Sequence, residues 1–146
     1  MRRRGTLWQR RVARIVRDNA DSVYRNGYSP DAVYRVFTGL EPNVREVIGI
    51  LGMLAIYAGR LVREGTGTGW VGFEAEQAQT ESEVIALRLV CTAANGDHDT
   101  LAALVQPLVM SATDDPEAGE TIPLVVAQML ALIAELGKDT QDATDD

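Results

Sequence analysis

Residues that commonly carry chemistry are scarce in this 146-residue chain, which has one cysteine and one histidine. The cysteine, Cys91, cannot form a disulfide within the chain, and its apolar neighbours predict a buried thiol in a reducing compartment. The histidine, His98, lies between Asp97 and Asp99. A helix-capping turn is favoured there over a metal site, because adjacent residues rarely point at one ion. No GxSxG motif is present either, so we expect no enzyme activity.

No uncharged segment is long enough to span a bilayer. The longest stretches without an acidic or basic residue, 47–59, 100–113 and 121–134, have 13, 14 and 14 residues, against about 20 for a membrane-spanning helix. The N-terminal arginines resemble the start of a secretory signal, but further arginines at 10, 11, 14 and 17 interrupt the apolar core that such a signal requires. The sequence therefore predicts a cytoplasmic protein without stable membrane insertion.

Cofactor and metal motifs are absent or lack their structural context. The glycine-rich segment 65–72 contains GTGWVG, a formal match to the GxGxxG dinucleotide fingerprint. That fingerprint requires a preceding strand and a βαβ unit, whereas a long helical pattern precedes it here. The glutamates at 74, 76, 81 and 83 form no Glu-x-x-His or Glu-x-x-Glu pair within an apolar helix. We interpret 65–72 as a hinge loop and expect neither cofactor nor metal.

What the sequence does have is helical periodicity. Hydrophobic residues make up 46% of the chain and charged residues 24%, which is typical of a globular domain. Apolar positions recur with helical spacing in about six segments, and no segment alternates as a strand would. We predict an all-α fold, a compact bundle of about six helices. Residues 1–138 form a single helical domain, and 139–146 form a disordered acidic tail.

Capping and breaking residues define the ends of the predicted helices. Asn26-Gly27 supplies a left-handed stop for the first helix, and Ser29-Pro30-Asp31 places a proline at the first position of the second. Pro107 is expected to kink or interrupt the fifth helix, and an acidic loop is expected over 114–120. The predicted segments are 6–25, 31–38, 44–63, 73–94, 100–111 and 123–136.

Two of these segments, 44–63 and 123–136, are apolar on almost every side. Gly49, Gly52 and Gly59 in the first lower its helix propensity but permit close backbone approach. A chain of this size has limited room for two helices that are apolar all round. Part of their surface is therefore expected to close against another copy of the chain, which predicts a homo-oligomer.

Charge is divided unequally along the chain, whose net charge is −7. Residues 1–63 contain 12 arginines and five acidic residues, a net charge of +7. Residues 64–146 contain two basic and 16 acidic residues, a net charge of −14. Such asymmetry is typical of contact with nucleic acid, a membrane surface or an acidic partner, and it equally fits two halves of one fold that attract each other. We distinguish a basic sub-region, 1–64, and an acidic one, 73–138.

The first predicted helix is amphipathic, with arginines on the side opposite an apolar stripe about 100° wide. The stripe contains Trp8, Val12, Ile15, Val16 and Val23, and the candidate partner-binding residues are Arg2, Arg3, Arg4, Arg10, Arg14 and Arg17. The three arginines on the helix could contact successive phosphates, and the first three could form an arm that reaches a groove. Asp21 interrupts this face and can pair with Arg17 or Arg25.

Several interpretations of the basic face remain open. Because the apolar stripe is needed for packing, salt pairing within the fold or between subunits ranks first. Nucleic acid, an acidic protein partner and an anionic membrane surface follow. A helix-turn-helix placement of the second and third helices is rejected, because the third helix is apolar after Arg45 where a recognition helix must be polar and basic.

These observations predict a non-enzymatic α-helical protein-interaction or assembly protein. It would self-associate through its apolar helices and use the basic N-terminal helix as a binding face. The alternative is a small nucleic-acid-binding regulator that uses the arginine arm and the first helix. A third interpretation is an enzyme or ligand-binding bundle whose site is assembled from residues distant in sequence.

Overall fold

A computed structural model of the chain describes residues 7–37, 43–66, 69, 71–73 and 78–144. Over these ranges the chain forms six α-helices and no strand, which confirms the predicted all-α bundle. The helices are α1 (Leu7–Asn26), α2 (Pro30–Phe37), α3 (Val44–Thr66), α4 (Glu81–Ala94), α5 (His98–Asp114) and α6 (Pro116–Thr144).

The core is organised around α6, which contacts all five other helices. It meets α3 at the centre, and α3 in turn contacts α1, α4 and α5. The largest fully buried side chains include Ile50, Leu51 and Leu54 on α3, Leu89 on α4, and Met129, Leu130 and Ile133 on α6. The two segments that are apolar all round are thus the central helices of the bundle.

By length and composition alone, Pro116–Lys138 of α6 would be apolar enough to cross a membrane, with a mean hydropathy of 1.5. A third of that apolar window is buried inside the bundle, and Val125, Met129 and Ile133 have no exposed surface. The core helix of a bundle passes the same test of composition, and the packing of α6 against every other helix fits that role.

The ends of α1 and the start of α2 agree with the sequence. Val12, Val16 and Val23 are buried, as the amphipathic stripe predicts; the side chain of Trp8 lies outside the described part of the chain. Gly27 follows α1 with a φ of +94°, and its N–H donates to the Val23 carbonyl at 2.8 Å. This left-handed turn is the predicted helix stop.

The two internal prolines lie inside helices, so the expected alternative of an interruption at Pro107 is wrong, and so is the expected start of α6 near Pro123. α5 continues through Pro107 to Asp114, and α6 begins at Pro116 and continues through Pro123. The predicted acidic loop over 114–120 is therefore reduced to Asp115. Its carboxylate accepts a hydrogen bond from the Glu117 amide at 3.0 Å, which caps α6, and a proline is well tolerated directly after such a cap.

Helix α4 begins at Glu81 and not near Phe73 as predicted, since residues 71–73 and 78–80 are not helical. Thr80 is the N-cap, and its hydroxyl accepts from the Glu83 amide at 3.2 Å. The Glu83 carboxylate in turn accepts from the Gln79 amide at 2.8 Å. The first bond satisfies an amide that the first turn of a helix leaves without a partner, the second ties the preceding residue to that turn, and together they fix the start of α4.

The described part of the glycine-rich segment is held in place. Asn95, at the end of α4, donates to the Val71 carbonyl and accepts from the Val71 amide, both at 2.8 Å. Arg63 donates to the Gly69 carbonyl at 2.6 Å and to the Ala94 carbonyl at 3.0 Å. The backbone at Gly69 and Val71 is thereby tied to the end of α4. Residues 67, 68 and 70 of the predicted hinge lie outside the described residues.

At the C-terminus, α6 continues to Thr144, six residues past Lys138, where the sequence predicts a disordered tail from 139. No proline follows Gly137, and adding residues to an existing helix is easy compared with starting one. Residues 145 and 146 lie outside the described part of the chain.

Candidate interaction surface

The basic face of α1 lies on the solvent side of the bundle. Arg10, Arg14 and Arg17 are exposed, at spacings of four and three residues that place them on one side of the helix. Arg14 and Arg17 make no hydrogen bond or ion pair with any described residue. Arg2, Arg3 and Arg4 lie outside the described residues. The structure thus brings the three helical arginines of the predicted site to one exposed face.

Next to this face lies a groove of about 680 Å³, with α1 and α5 as its walls and α3 as its floor. The groove is lined by Gln9, Arg10 and Ala13 of α1, by Arg45, Ile48, Gly49 and Met53 of α3, and by Gln106 of α5. We call it the basic groove, because an arginine from each of two helices lies at its rim. A Cβ built on Gly52 would meet no heavy atom within 4 Å, so α3 leaves open space at that position.

The wall and floor of the basic groove are joined by an ion pair. Arg11 Nη2 of α1 lies 3.0 Å from Glu46 Oε1 of α3. The Glu46 side chain is 4% exposed and that of Arg11 is 55% exposed. The other carboxylate oxygen, Glu46 Oε2, is buried without a hydrogen-bond partner among the described residues. Burial of a carboxylate with one partner is costly unless that partner stays in place, so this pair fixes α1 against α3.

A second contact joins α1 and α3 nearer to their C-terminal ends. The Tyr57 hydroxyl of α3 donates to Asp21 Oδ1 of α1 at 2.5 Å. The Asp21 carboxylate, for which the sequence suggested pairing with Arg17 or Arg25, thus accepts a hydrogen bond from α3. Arg25 donates instead to the backbone carbonyl of Asp21, at 3.4 Å. Because residues 11 and 21 meet 46 and 57 in the same order, α1 and α3 run parallel.

The Tyr57 contact predicts a pH dependence of stability. Burial, followed by the hydrogen bond to Asp21, raises the pKa of Tyr57 above its usual value of 10.0. The fold therefore favours the protonated phenol. This stabilisation is complete below about pH 10 and is lost as the pH rises through the higher folded-state pKa.

We expect Tyr57→Phe to lower the free energy of unfolding at neutral pH by about 1 kcal/mol, the usual net value of one hydrogen bond. Above pH 10, the free energy of wild type should fall faster than that of the variant. Urea denaturation followed by circular dichroism at pH 7 to 11 measures both effects. Tyr28→Phe, at a side chain 40% exposed between α1 and α2, is the matched control. Parallel pH curves for wild type and Tyr57→Phe would contradict the assignment.

An acidic surface lies at the corner where α5 turns into α6. Every acidic side chain there is exposed: Asp114, Asp115, Glu117 and Glu120. Two large apolar side chains flank them, Met110 on α5 at 53% exposure and Leu124 on α6 at 55%. We call this surface the acidic corner. The acidic corner thus exposes to solvent both negatively charged and apolar side chains from the acidic second half of the chain.

Cys91 and Asp97 both line a pocket of about 270 Å³ beside the end of α4. Cys91 is only partly buried, whereas the sequence predicted a buried thiol. Burial raises the pKa of the Cys91 thiol, which disfavours the reactive thiolate. The Thr100 hydroxyl and amide donate to Asp97 at 2.7 and 3.1 Å. These bonds hold the pKa of Asp97 below its usual range and make it the N-cap of α5. A capping aspartate was predicted in this turn, but α5 begins at His98, two residues before the predicted start at Thr100.

No metal centre is formed by the described residues, since no three His, Cys, Asp or Glu side chains among them are grouped to hold an ion. Glu74 and Glu76, which the sequence places on a solvated face, lie outside the described residues.

Comparison with protein-family models, with curated proteins and with solved structures found no match to this chain.

Sequence reasoning identified the arginines of α1 but missed the groove beside them. Arg45 and Gln106 come from helices that are distant in sequence, and only their packing brings them next to Arg10. Residue spacing along α3 gave no signal for the groove, because the middle of that helix is apolar on almost every side.

Proposed function

We propose that this chain is a non-enzymatic, cytoplasmic α-helical interaction protein that binds an acidic protein surface in the basic groove. The observation that carries the proposal is the combination of an apolar floor, Ile48 and Met53, with arginines from two helices at the rim. Amphipathic helices bind to other proteins by laying their apolar side chains into such grooves. Arginine is also the residue best suited to grip carboxylates, because its guanidinium donates in a fixed fork.

The rigidity of the groove supports this assignment. The Arg11–Glu46 and Tyr57–Asp21 contacts join its α1 wall to its α3 floor at two levels. A surface that is already in its binding geometry loses little conformational freedom when a partner docks, which leaves more of the contact energy as affinity. The long-range field of the exposed arginines would also accelerate encounter with an acidic partner.

A nucleic-acid-binding regulator is the second candidate, favoured by the exposure of Arg14 and Arg17 on one helical side. Phosphates of a nucleic acid could contact both side chains. Such a ligand makes no use of the apolar floor beside them, however. For this reason an acidic protein segment is the better match to the whole surface.

The test uses fluorescence anisotropy with three labelled probes at two salt concentrations. The probes are an amphipathic Glu/Leu peptide, the same peptide with lysine in place of glutamate, and a DNA duplex. We expect the acidic peptide to bind, and to bind about tenfold more weakly to an Arg10→Glu/Arg14→Glu variant, as for loss of a charge contact of about 1.4 kcal/mol. Arg88→Glu, at an exposed position on α4, is the control with the same kind of charge change.

The outcomes separate the candidates. Binding of the acidic peptide that is lost in the α1 variant and kept in Arg88→Glu supports the interaction protein. Tight, salt-sensitive binding of the duplex that the α1 variant loses, with no binding of the acidic peptide, supports the nucleic-acid regulator instead. If the acidic and basic peptides bind equally, the arginine rim has no role and the proposal is wrong.

A further inference from the structure

The basic groove and the acidic corner lie at the same end of the bundle. Gln106 lines the basic groove, and Met110 of the acidic corner follows it by one helical turn on the same side of α5. Asp114 comes one turn later, so only about 12 Å of helix separates it from Gln106. The chain therefore presents a basic apolar surface and an acidic apolar surface side by side.

A second groove connects these surfaces through the start of α3. It has a volume of about 560 Å³, and Val44 and Val47 of α3 line it together with Gly119 and Ile122 of α6. Val44 directly precedes Arg45 of the basic groove, and Gly119 directly precedes Glu120 of the acidic corner. The two charged surfaces are thus the two sides of one continuous region.

We propose that two copies of this chain associate about a two-fold axis, the basic groove of each receiving the acidic corner of the other. This inference rests on the proposed function and narrows its acidic partner to a second copy. In a two-fold interface every contact occurs twice: if a residue of the first copy contacts a given residue of the second, the same two residues also meet with the copies exchanged. Because this chain carries the basic groove and the acidic corner next to each other, one dimer contains two identical groove-to-corner contacts.

Charge and apolar area both favour this arrangement. The acidic corner places carboxylates at four of seven consecutive positions, 114, 115, 117 and 120, where they repel one another in the isolated chain. Arginines of a second copy relieve that repulsion. Docking also removes Met110 and Leu124 from water, two side chains that the isolated chain leaves more than half exposed. An acidic surface without apolar residues would gain only the relief of charge repulsion.

The test is a charge exchange followed by sedimentation velocity. Arg10→Glu/Arg14→Glu makes the groove side acidic, and Asp114→Arg/Glu117→Arg/Glu120→Arg, which leaves only Asp115 negative, makes the corner basic. Each variant alone then opposes like charges in both contacts of the dimer, whereas an equimolar mixture opposes unlike charges in both. Asp115 is left unchanged because it caps α6. Far-UV circular dichroism verifies that each variant is folded.

We expect wild type to sediment with about twice the 15.9 kDa mass of the chain and to dissociate as salt is raised. Each charge variant should weaken self-association by at least about tenfold, and mixing the two should restore the dimer. Arg88→Glu should remain dimeric. Restoration in the mixture is the decisive result, because a misfolded variant cannot produce it.

Three outcomes would overturn the dimer. These are a monomeric wild type at every concentration, variants that associate as well as Arg88→Glu, and a mixture that stays monomeric. If the monomer still binds the Glu/Leu peptide, the proposed function stands and only the second copy as its partner is rejected. If assembly continues past two copies, the contact does not close on itself and the two-fold axis is wrong.

Discussion

Gly137→Ala is expected to destabilise the bundle by about 3 kcal/mol, the upper end of the usual cost of overpacking a core. Gly137 lies inside α6, where that helix presses against α1. A Cβ added there would overlap the carbonyl oxygen of Tyr24 and lie 2.8 Å from its carbonyl carbon. Because these are backbone atoms of a packed helix, no side-chain rotation can relieve the overlap. The two helices must separate, although alanine itself favours helix by up to about 1 kcal/mol over glycine.

Urea denaturation followed by circular dichroism measures this cost, and Gly52→Ala provides its matched control. The control makes the same chemical change in a helix interior, at a site where the new Cβ meets nothing within 4 Å. We expect it to stabilise the protein by about 0.5–1 kcal/mol through helix propensity alone. Equal effects of the two substitutions would show that α1 and α6 do not approach closely at Gly137.

These glycines show how far sequence reasoning reaches into packing. The sequence predicted close backbone approach along α3, and at Gly59 it was correct, since an added Cβ would lie 2.8 Å from the Ala94 amide nitrogen of α4. At Gly52 it was wrong, because that position faces open space. A helix that is apolar on every side carries no periodic signal to distinguish the side that meets a neighbour from the side that does not.

Helix boundaries could be predicted where a capping pattern stood alone. Ser29-Pro30-Asp31 was recognised as a helix start, and α2 begins at Pro30. The chemically similar Asp115-Pro116-Glu117 was assigned to a loop, although α6 begins there. The acidic run around it and the nearby Gly119 suggested a loop. Burial of one side of α6 against five helices outweighs those local preferences.

The candidate site could be predicted only in part, for a different reason. The basic face of α1 follows from residue spacing within one helix, so the sequence identified Arg10, Arg14 and Arg17. The basic groove depends on three helices, and the acidic corner depends on a turn that was predicted to be much longer. Both surfaces arise from tertiary packing. The sequence does not specify that packing, because its central helices are apolar on almost every side and do not indicate which side meets which neighbour.

Removal of the Arg11 charge is the substitution with the second largest expected effect. In Arg11→Met, the buried carboxylate of Glu46 loses its only charged partner among the described residues. Breaking a fully buried pair typically costs 3–5 kcal/mol. Because the Arg11 side chain is 55% exposed, solvent compensates for part of the loss, and we expect about 2 kcal/mol in urea denaturation.

Arg14→Met is the matched control, because it removes an exposed arginine from the same helix without breaking a contact to a described residue. It should change stability by less than about 0.5 kcal/mol. The double variant Arg11→Met/Glu46→Leu should recover most of the lost stability, since replacing both members of a buried pair with apolar residues also removes the desolvation cost. An Arg11→Met variant as stable as Arg14→Met would show that Glu46 is satisfied without Arg11. The α1 wall of the basic groove would then be held to its floor by Tyr57 and apolar packing alone.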